Sequence, residues 1–275
     1  MVWPQIGWGQ QIKKFISFLL MGGVYSGMLL GTAHAGPWPQ HQGDALLISR
    51  TDKYQSETRT EDGFFAFEQL ATGLYGEYGL TDRTTVGINL FYTDQQNSGP
   101  VAERSAAGFA VADVFIQRQI RRRDYSVWSA RLLIGAPTNI TRFSSLAGDM
   151  SEDRDASLEP GVLYGRTIDA RGRHFVTGDI GYRTNFGDDA DHVRFDIGYG
   201  FRPKAKLLLS LKGYSRTSLK NHSGNGEDID FVRLEPSVAF ETDRFGTFEI
   251  GYAQDISTRN MSPGEAVFFS LWTRF

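Results

Sequence analysis

Apolar residues recur at every second position in one segment after another of this 275-residue chain. The last such segment runs to the terminus, as Val267-Phe268-Phe269-Ser270-Leu271-Trp272-Thr273-Arg274-Phe275. A period of two is one face of a β-strand. Val267, Phe269 and Leu271 form the apolar row, Thr273 is tolerated in it, and Phe275 continues it. A soluble protein rarely ends on an apolar strand with no polar tail. A barrel that closes in lipid has a reason to, since the outward row of its last strand faces hydrocarbon.

The other terminus reads as an export signal. Lys13 and Lys14 supply a positive start, residues 15–30 an apolar run, and Ala33-His34-Ala35 a small-x-small cleavage site. The expected organisation is therefore a signal over residues 1–35 and one domain over residues 36–275. No stretch after Ala35 approaches the ~20 apolar residues of a spanning helix. A mean hydropathy of −0.32 is compatible with lipid-crossing strands, because each averages lipid-facing and lumen-facing residues. Removing the signal leaves 27 basic against 32 acidic residues, which gives no footprint for nucleic acid. With no cysteine in the chain, neither disulfides nor lipoprotein processing enter.

Period-two patterning marks twelve strand candidates, near 44–52, 64–80, 84–94, 106–121, 125–136, 157–167, 174–186, 191–202, 205–217, 229–242, 246–257 and 265–275. The outward rows are clean: Val86, Ile88, Leu90 and Tyr92 in one, Trp128, Ala130, Leu132 and Ile134 in another. Val193, Phe195, Ile197, Tyr199 and Phe201 form a third, and Val232, Leu234, Pro236, Val238 and Phe240 a fourth. Half-buried strands of a soluble sandwich also alternate, so the connections decide. Every second one is tight (81–83, 122–124, 169–173, 202–204, 242–245), and those between are mostly longer and polar (95–105, 137–156, 218–228). That is the layout of an up-and-down antiparallel transmembrane β-barrel. Open strand edges in lipid would expose unpaired backbone groups at several kcal/mol each, so the sheet must close. The expected fold is all-β, a barrel of about twelve strands. Pro160 and Pro236 fall inside strands, where a ladder hydrogen bond is lost, so local bulges are expected there.

The inward rows carry acids at Glu77, Asp113, Glu159, Asp179, Asp196, Glu235, Glu241, Glu249 and Asp255, and bases at Arg131, Arg183, Arg194, Lys212, Arg216 and Arg233. All the bases but Arg131 fall on the seventh to tenth candidates. Two readings stay open. A cationic wall would guide an anionic solute through a narrow pore. Alternatively, acids and bases pair and fill a small lumen, since buried charges need partners. Lumen-lining candidates are Arg131, Asp179, Arg183, Arg194, Asp196, Lys212, Arg216, Arg233, Glu235, Glu249 and Asp255. The loop 137–156 could fold in as a constriction or stand out as an adhesive surface.

No catalytic set emerges. One family of twelve-stranded outer-membrane barrels, the phospholipases, carries His-x-Ser on a strand; here His222 and Ser223 are adjacent in a glycine- and asparagine-rich segment. Extended, they would point to opposite faces. The acid-rich run 148–155 lacks the glycine and terminal glutamate of an EF-hand loop. No enzyme, cofactor or metal site is expected.

The closing segment, with Phe269, Leu271 and Phe275 in its outward row, resembles the carboxy-terminal signature of Gram-negative outer-membrane proteins, which their barrel-assembly machinery reads. Residues 38–43, the run Glu77-Tyr78-Gly79-Leu80-Thr81-Asp82-Arg83-Thr84-Thr85-Val86-Gly87 and Leu163-Tyr164-Gly165-Arg166 resemble poorly characterised XagA-like barrels, sometimes found with exopolysaccharide genes. These resemblances imply the outer membrane as location, with its lipid, lipopolysaccharide and assembly machinery as partners. Three functions remain in play. They are a channel or export pore for hydrophilic solutes, anions, saccharides or exopolysaccharide among them; a plugged structural or surface-interaction barrel; and, more distantly, an outer-membrane hydrolase.

Overall fold

The computed structural model describes residues 36–60, 63–99, 103–144, 148–224 and 228–275. The expected export signal lies outside the described residues. Fourteen strands follow one another: β1 (Ala45–Thr60), β2 (Gly63–Thr81), β3 (Thr84–Ser98), β4 (Glu103–Arg123), β5 (Ser126–Gly135), β6 (Thr138–Ser144), β7 (Gly148–Arg154), β8 (Ser157–Thr167), β9 (His174–Asn185), β10 (His192–Lys204), β11 (Leu207–Ser218), β12 (Asp230–Thr242), β13 (Gly246–Arg259) and β14 (Gly264–Arg274). Every pairing is antiparallel. Twelve strands close into a barrel, β1 to β5 and β8 to β14, with β14 returning to β1 and β3 pairing β4. At the seam Ala45 and Phe275 exchange both backbone hydrogen bonds at 3.0 Å.

The remaining two strands correct the sequence reading of 137–156 as a loop. β6 lies on β4 in the register that β5 sets, Asp113 opposite Gly135 and then Gly108 opposite Ile140. β7 likewise continues β8, with Thr138 opposite Arg154 where Ser126 was opposite Arg166. The segment is thus a ribbon that prolongs the barrel wall. Its break coincides with Pro137, which has no N–H to give the ladder.

The prolines at 160 and 236 behave differently from expectation. Pairing of β8 to β9 skips Glu159 and Pro160 and resumes unshifted, Leu158 opposite Thr184 and Gly161 opposite Gly181. β12 and β13 treat Pro236 the same way. Each proline omits a bond without adding a residue. Register shifts occur elsewhere, as at Val232/Arg233 and Gln119/Arg121.

The outward rows are where the sequence placed them: Phe195, Ile197, Val238, Phe240, Val267, Phe269 and Phe275 are all exposed. The packed core is inside the barrel. Leu46, Phe175, Leu208, Ala239 and Trp272 form one cluster near the short turns, and Tyr54, Ala253 and Ala266 a second toward the longer connections.

Candidate functional site: the barrel lumen

The lumen is filled in layers. Midway along the wall runs an ionic belt. On one side Glu159 of β8 is its hub. Arg194 donates from Nη2 to Glu159 Oε1 at 2.8 Å, Arg183 from Nε to Oε2 at 2.9 Å, and Arg131 lies 3.5 Å away. Arg131 also reaches Asp179 at 2.6 Å, Arg194 pairs with Asp179 at 3.1 Å and with Asp196, and Arg183 reaches Asp113 at 3.2 Å. Three arginines therefore serve four carboxylates.

The facing side repeats the scheme with different residues. Arg50 of β1 forks onto Glu235 at 3.0 and 2.8 Å and onto Asp52 at 2.6 Å, its plane stacked over Phe268 at 3.7 Å. Lys212 stands 3.5 Å from Glu235 and 3.3 Å from Glu249, and Ser237 and Ser270 each donate to Glu249 at 2.7 Å. Nearer the longer connections, Arg233 holds Asp255 at 2.6 Å, and Tyr54 donates to the same carboxylate at 2.8 Å.

These distances settle how the inward charges are arranged. Arg131, Arg183, Arg194, Lys212 and Arg233 each face carboxylates, so the wall is not a free cationic ladder. The physical reason is closure and register. Inward charges of opposite sign come within reach on one strand, on neighbouring strands or across the lumen, as Arg50 does Glu235 and Arg183 does Asp113, and burial favours their pairing. Over the two sides of the belt, seven carboxylates meet five bases. Arg216 stands opposite Arg194 on β11. Glu241 is exposed near the short turns, 4.0 Å from Arg202. Sequence reasoning passed over Arg50 and Asp52, although both fall on the inward parity of the first strand with Leu46 and Ile48. Arg50 is 185 residues from Glu235 in sequence, and only ring closure brings them together.

Between the belt and the short-turn end lies a cavity of about 430 Å³, lined among others by Arg50, Asn89, Gln117, Arg194, Lys212 and Trp272. Its floor was not foreseen. Residues 36–44, ahead of β1, enter the lumen and cross it. Gln42 and His41 lie by Asp82 in the β2–β3 turn. Gly43 donates to Gly79 O at 2.9 Å, Gln40 N–H to Thr85 Oγ1 at 2.9 Å, and Gln40 Nε2 to Glu77 at 2.5 Å. Gln117 and Ser129 then donate to the carbonyls of Gly36 and Pro37, at 2.9 and 2.7 Å. Trp38 packs on the apolar cluster contributed by β1, β9, β11, β12 and β14, edge-on to Phe175 at 6.3 Å between centroids.

Two glycines of the wall make room for this segment. A Cβ at Gly165 would come within 2.5 Å of Pro37 and 2.6 Å of Trp38, and one at Gly79 would collide with the His41 carbonyl. The segment's carbonyls accept hydrogen bonds from wall donors, and its apolar residues sit in a wall pocket. It is a fitted floor.

The residues weighed for hydrolysis do not converge. Ser223 donates to Asp188 at 2.5 Å, whereas His222 Nδ1 lies 3.8 Å from Asp228. The Arg259 guanidinium, bonded to Asp228, holds that carboxyl well below the usual range. Among the described residues no three His, Cys, Asp or Glu side chains gather as a metal site. Side chains of the acid-rich run 149–154 lie outside the described residues.

No protein-family model matches the chain, and neither does any curated protein sequence, so the XagA-like resemblance rests on its quoted motifs alone. Solved structures do match. An outer-membrane channel from Pseudomonas putida F1 superposes with a TM-score of 0.61 at 11% identity, over 89% of this chain and 100% of that one. The translocator domain of the autotransporter NalP from Neisseria meningitidis gives 0.57 at 11% identity, over 86% and 90%. The transport unit of the autotransporter AIDA-I from Escherichia coli gives 0.54 at 9% identity, over 82% and 89%. At such identities the likeness speaks of fold alone. The chain folds as a closed twelve-stranded antiparallel barrel of the outer-membrane type.

Proposed function

We propose that the protein resides in a Gram-negative outer membrane, with short turns toward the periplasm, and passes small, uncharged, hydrophilic solutes such as saccharides. The observation that carries this reading is the cavity at mid-barrel, where apolar and aromatic surface alternates with charged side chains already matched to one another. A neutral polyol exchanges hydrogen bonds with such a wall. An anion finds its would-be partners occupied and meets an excess of carboxylates. The apolar outward rows, the tight and long connections and the closed ladder support the location. The fitted floor implies that passage is gated at the short-turn end.

A second reading has an observation of its own. The floor and belt together could fill the barrel permanently, leaving its outer surface and ribbon to act. Proteoliposome swelling separates the two, using the wild type and a form with residues 36–43 deleted behind an intact export signal. Small neutral sugars should enter, faster through the deleted form, with sugar acids of similar size slower. If neither form admits sugar while both migrate as folded barrels on unboiled gels, the plugged barrel is the correct reading.

A further inference from the structure

Basic residues crowd the short-turn end, and most of the turns there neutralise them locally. Arg173 pairs with Asp169 at 3.4 Å, Lys206 with Asp243 at 2.5 Å, and Arg202 with Glu241 at 4.0 Å. One sector differs. On the outer face of β4, β5 and β8, Arg118, Arg121, Arg123 and Arg166 are exposed, and none has an ionic partner among the described residues.

Register shows that the four share a face. Trp128 is outward and exposed, Arg121 is directly opposite it, and so is Tyr164 on the other side. Ser126, two residues along, is opposite both Arg123 and Arg166. Arg118 continues the outward row of Val114 and Ile116. At the centre, Trp128 and Tyr164 lie ring against ring, 4.6 Å between centroids. No acid occurs on this face along residues 112–123, 126–134 and 158–166, the stretches that carry the patch. The patch begins where the lipid-facing row ends.

We infer that this sector binds the headgroup phosphates of anionic phospholipid in the leaflet nearest the short turns. The inference rests on the membrane-spanning reading above. Paired Trp and Tyr are the residues of the headgroup level, and arginine forks match phosphate oxygens. A soluble acidic partner would explain the charge. It would not explain why the charge surrounds an aromatic pair continuous with the lipid-facing row.

The test uses the full barrel refolded into vesicles of phosphatidylethanolamine mixed equally with phosphatidylglycerol, then extracted in mild detergent. Native mass spectrometry counts the lipids retained. The wild type should retain phosphatidylglycerol over phosphatidylethanolamine at a ratio of roughly ten to one or more, against one to one in the vesicles, since each base near an anionic surface adds attraction. A variant with Arg118→Ser, Arg121→Ser, Arg123→Ser and Arg166→Ser should lose the enrichment. Arg171→Ser with Arg244→Ser, on other short turns, should keep it. Equal retention of both lipids by the wild type, or unchanged enrichment in the fourfold variant, overturns the proposal. A wild type that inserts into no vesicle overturns the membrane-spanning reading beneath it.

Discussion

The belt and the floor occupy the same lumen and are built by opposite chemistries. The belt is made only of wall residues, charged and cross-linked over nine strands, from Arg50 on β1 to Glu249 on β13. Most members share partners, and withdrawing Arg50, Arg183 or Arg194 leaves Asp52, Asp113 or Asp196 with no other base of the belt. The floor is a segment that runs into the wall at Asp44 and is seated by apolar contact and a handful of hydrogen bonds. Opening the floor costs those contacts and leaves the ladder intact. Under the proposed function rigidity and motion divide along that line, the belt holding the shape and the floor moving.

The largest effect should come from breaking the belt. Glu159→Ala takes from three arginines the carboxylate they share and leaves them Asp113, Asp179 and Asp196. Removing one partner of a buried ionic group typically costs ~3–5 kcal/mol when the other is left alone, so the loss should lie toward the lower end of that range. Denaturant titration followed by the heat-dependent gel shift should show that loss, with Glu159→Gln milder because it keeps an acceptor. Trp38→Ala is the counterpart. It should cost the barrel well under the ~3 kcal/mol usual for a buried tryptophan, because the segment can leave its seat without unfolding the wall. If the two variants unfold at the same denaturant concentration, the division between belt and floor is wrong.

Gly165→Val should act more gently and only on the floor. The new side chain takes the space of Pro37 and Trp38, so residues 36–43 should become accessible to added protease while the barrel stays resistant. The smallest effect concerns ions. With seven carboxylates to five bases, any residual current should lean weakly toward cations. Reversal potentials in a salt gradient check this, and clear anion selectivity would mean that some of the arginines are released from their partners in the membrane.

Much of the barrel was legible because lipid and lumen impose a strict period on every strand. Phe195, Ile197 and Tyr199 could be read outward and Arg194 and Asp196 inward from parity alone. The ribbon was not legible, because residues 138–154 lack the apolar alternation that lipid imposes and are held by a ladder inherited from β5 and β8. The pairing of the belt was half legible: residue types and faces were plain, yet Glu159 as hub and Arg50 as its counterpart depend on closure and register. The floor left little signal. Trp38, Pro37 and Gln40 are irregularly spaced, and the glycines that receive them, Gly79 and Gly165, read equally well as ordinary small strand residues.

The central claim, that the floor must move for solute to pass, can be tested by locking it. The chain has no cysteine, so Gln40→Cys and Thr85→Cys would introduce the only two thiols, at positions joined by a hydrogen bond. Single-channel recordings under oxidising and then reducing conditions are the measurement. The oxidised protein should stay closed and openings should appear on reduction, while each single variant ignores the redox change. Equal conductance in the oxidised and reduced double variant, with the disulfide confirmed by mass, would contradict the account.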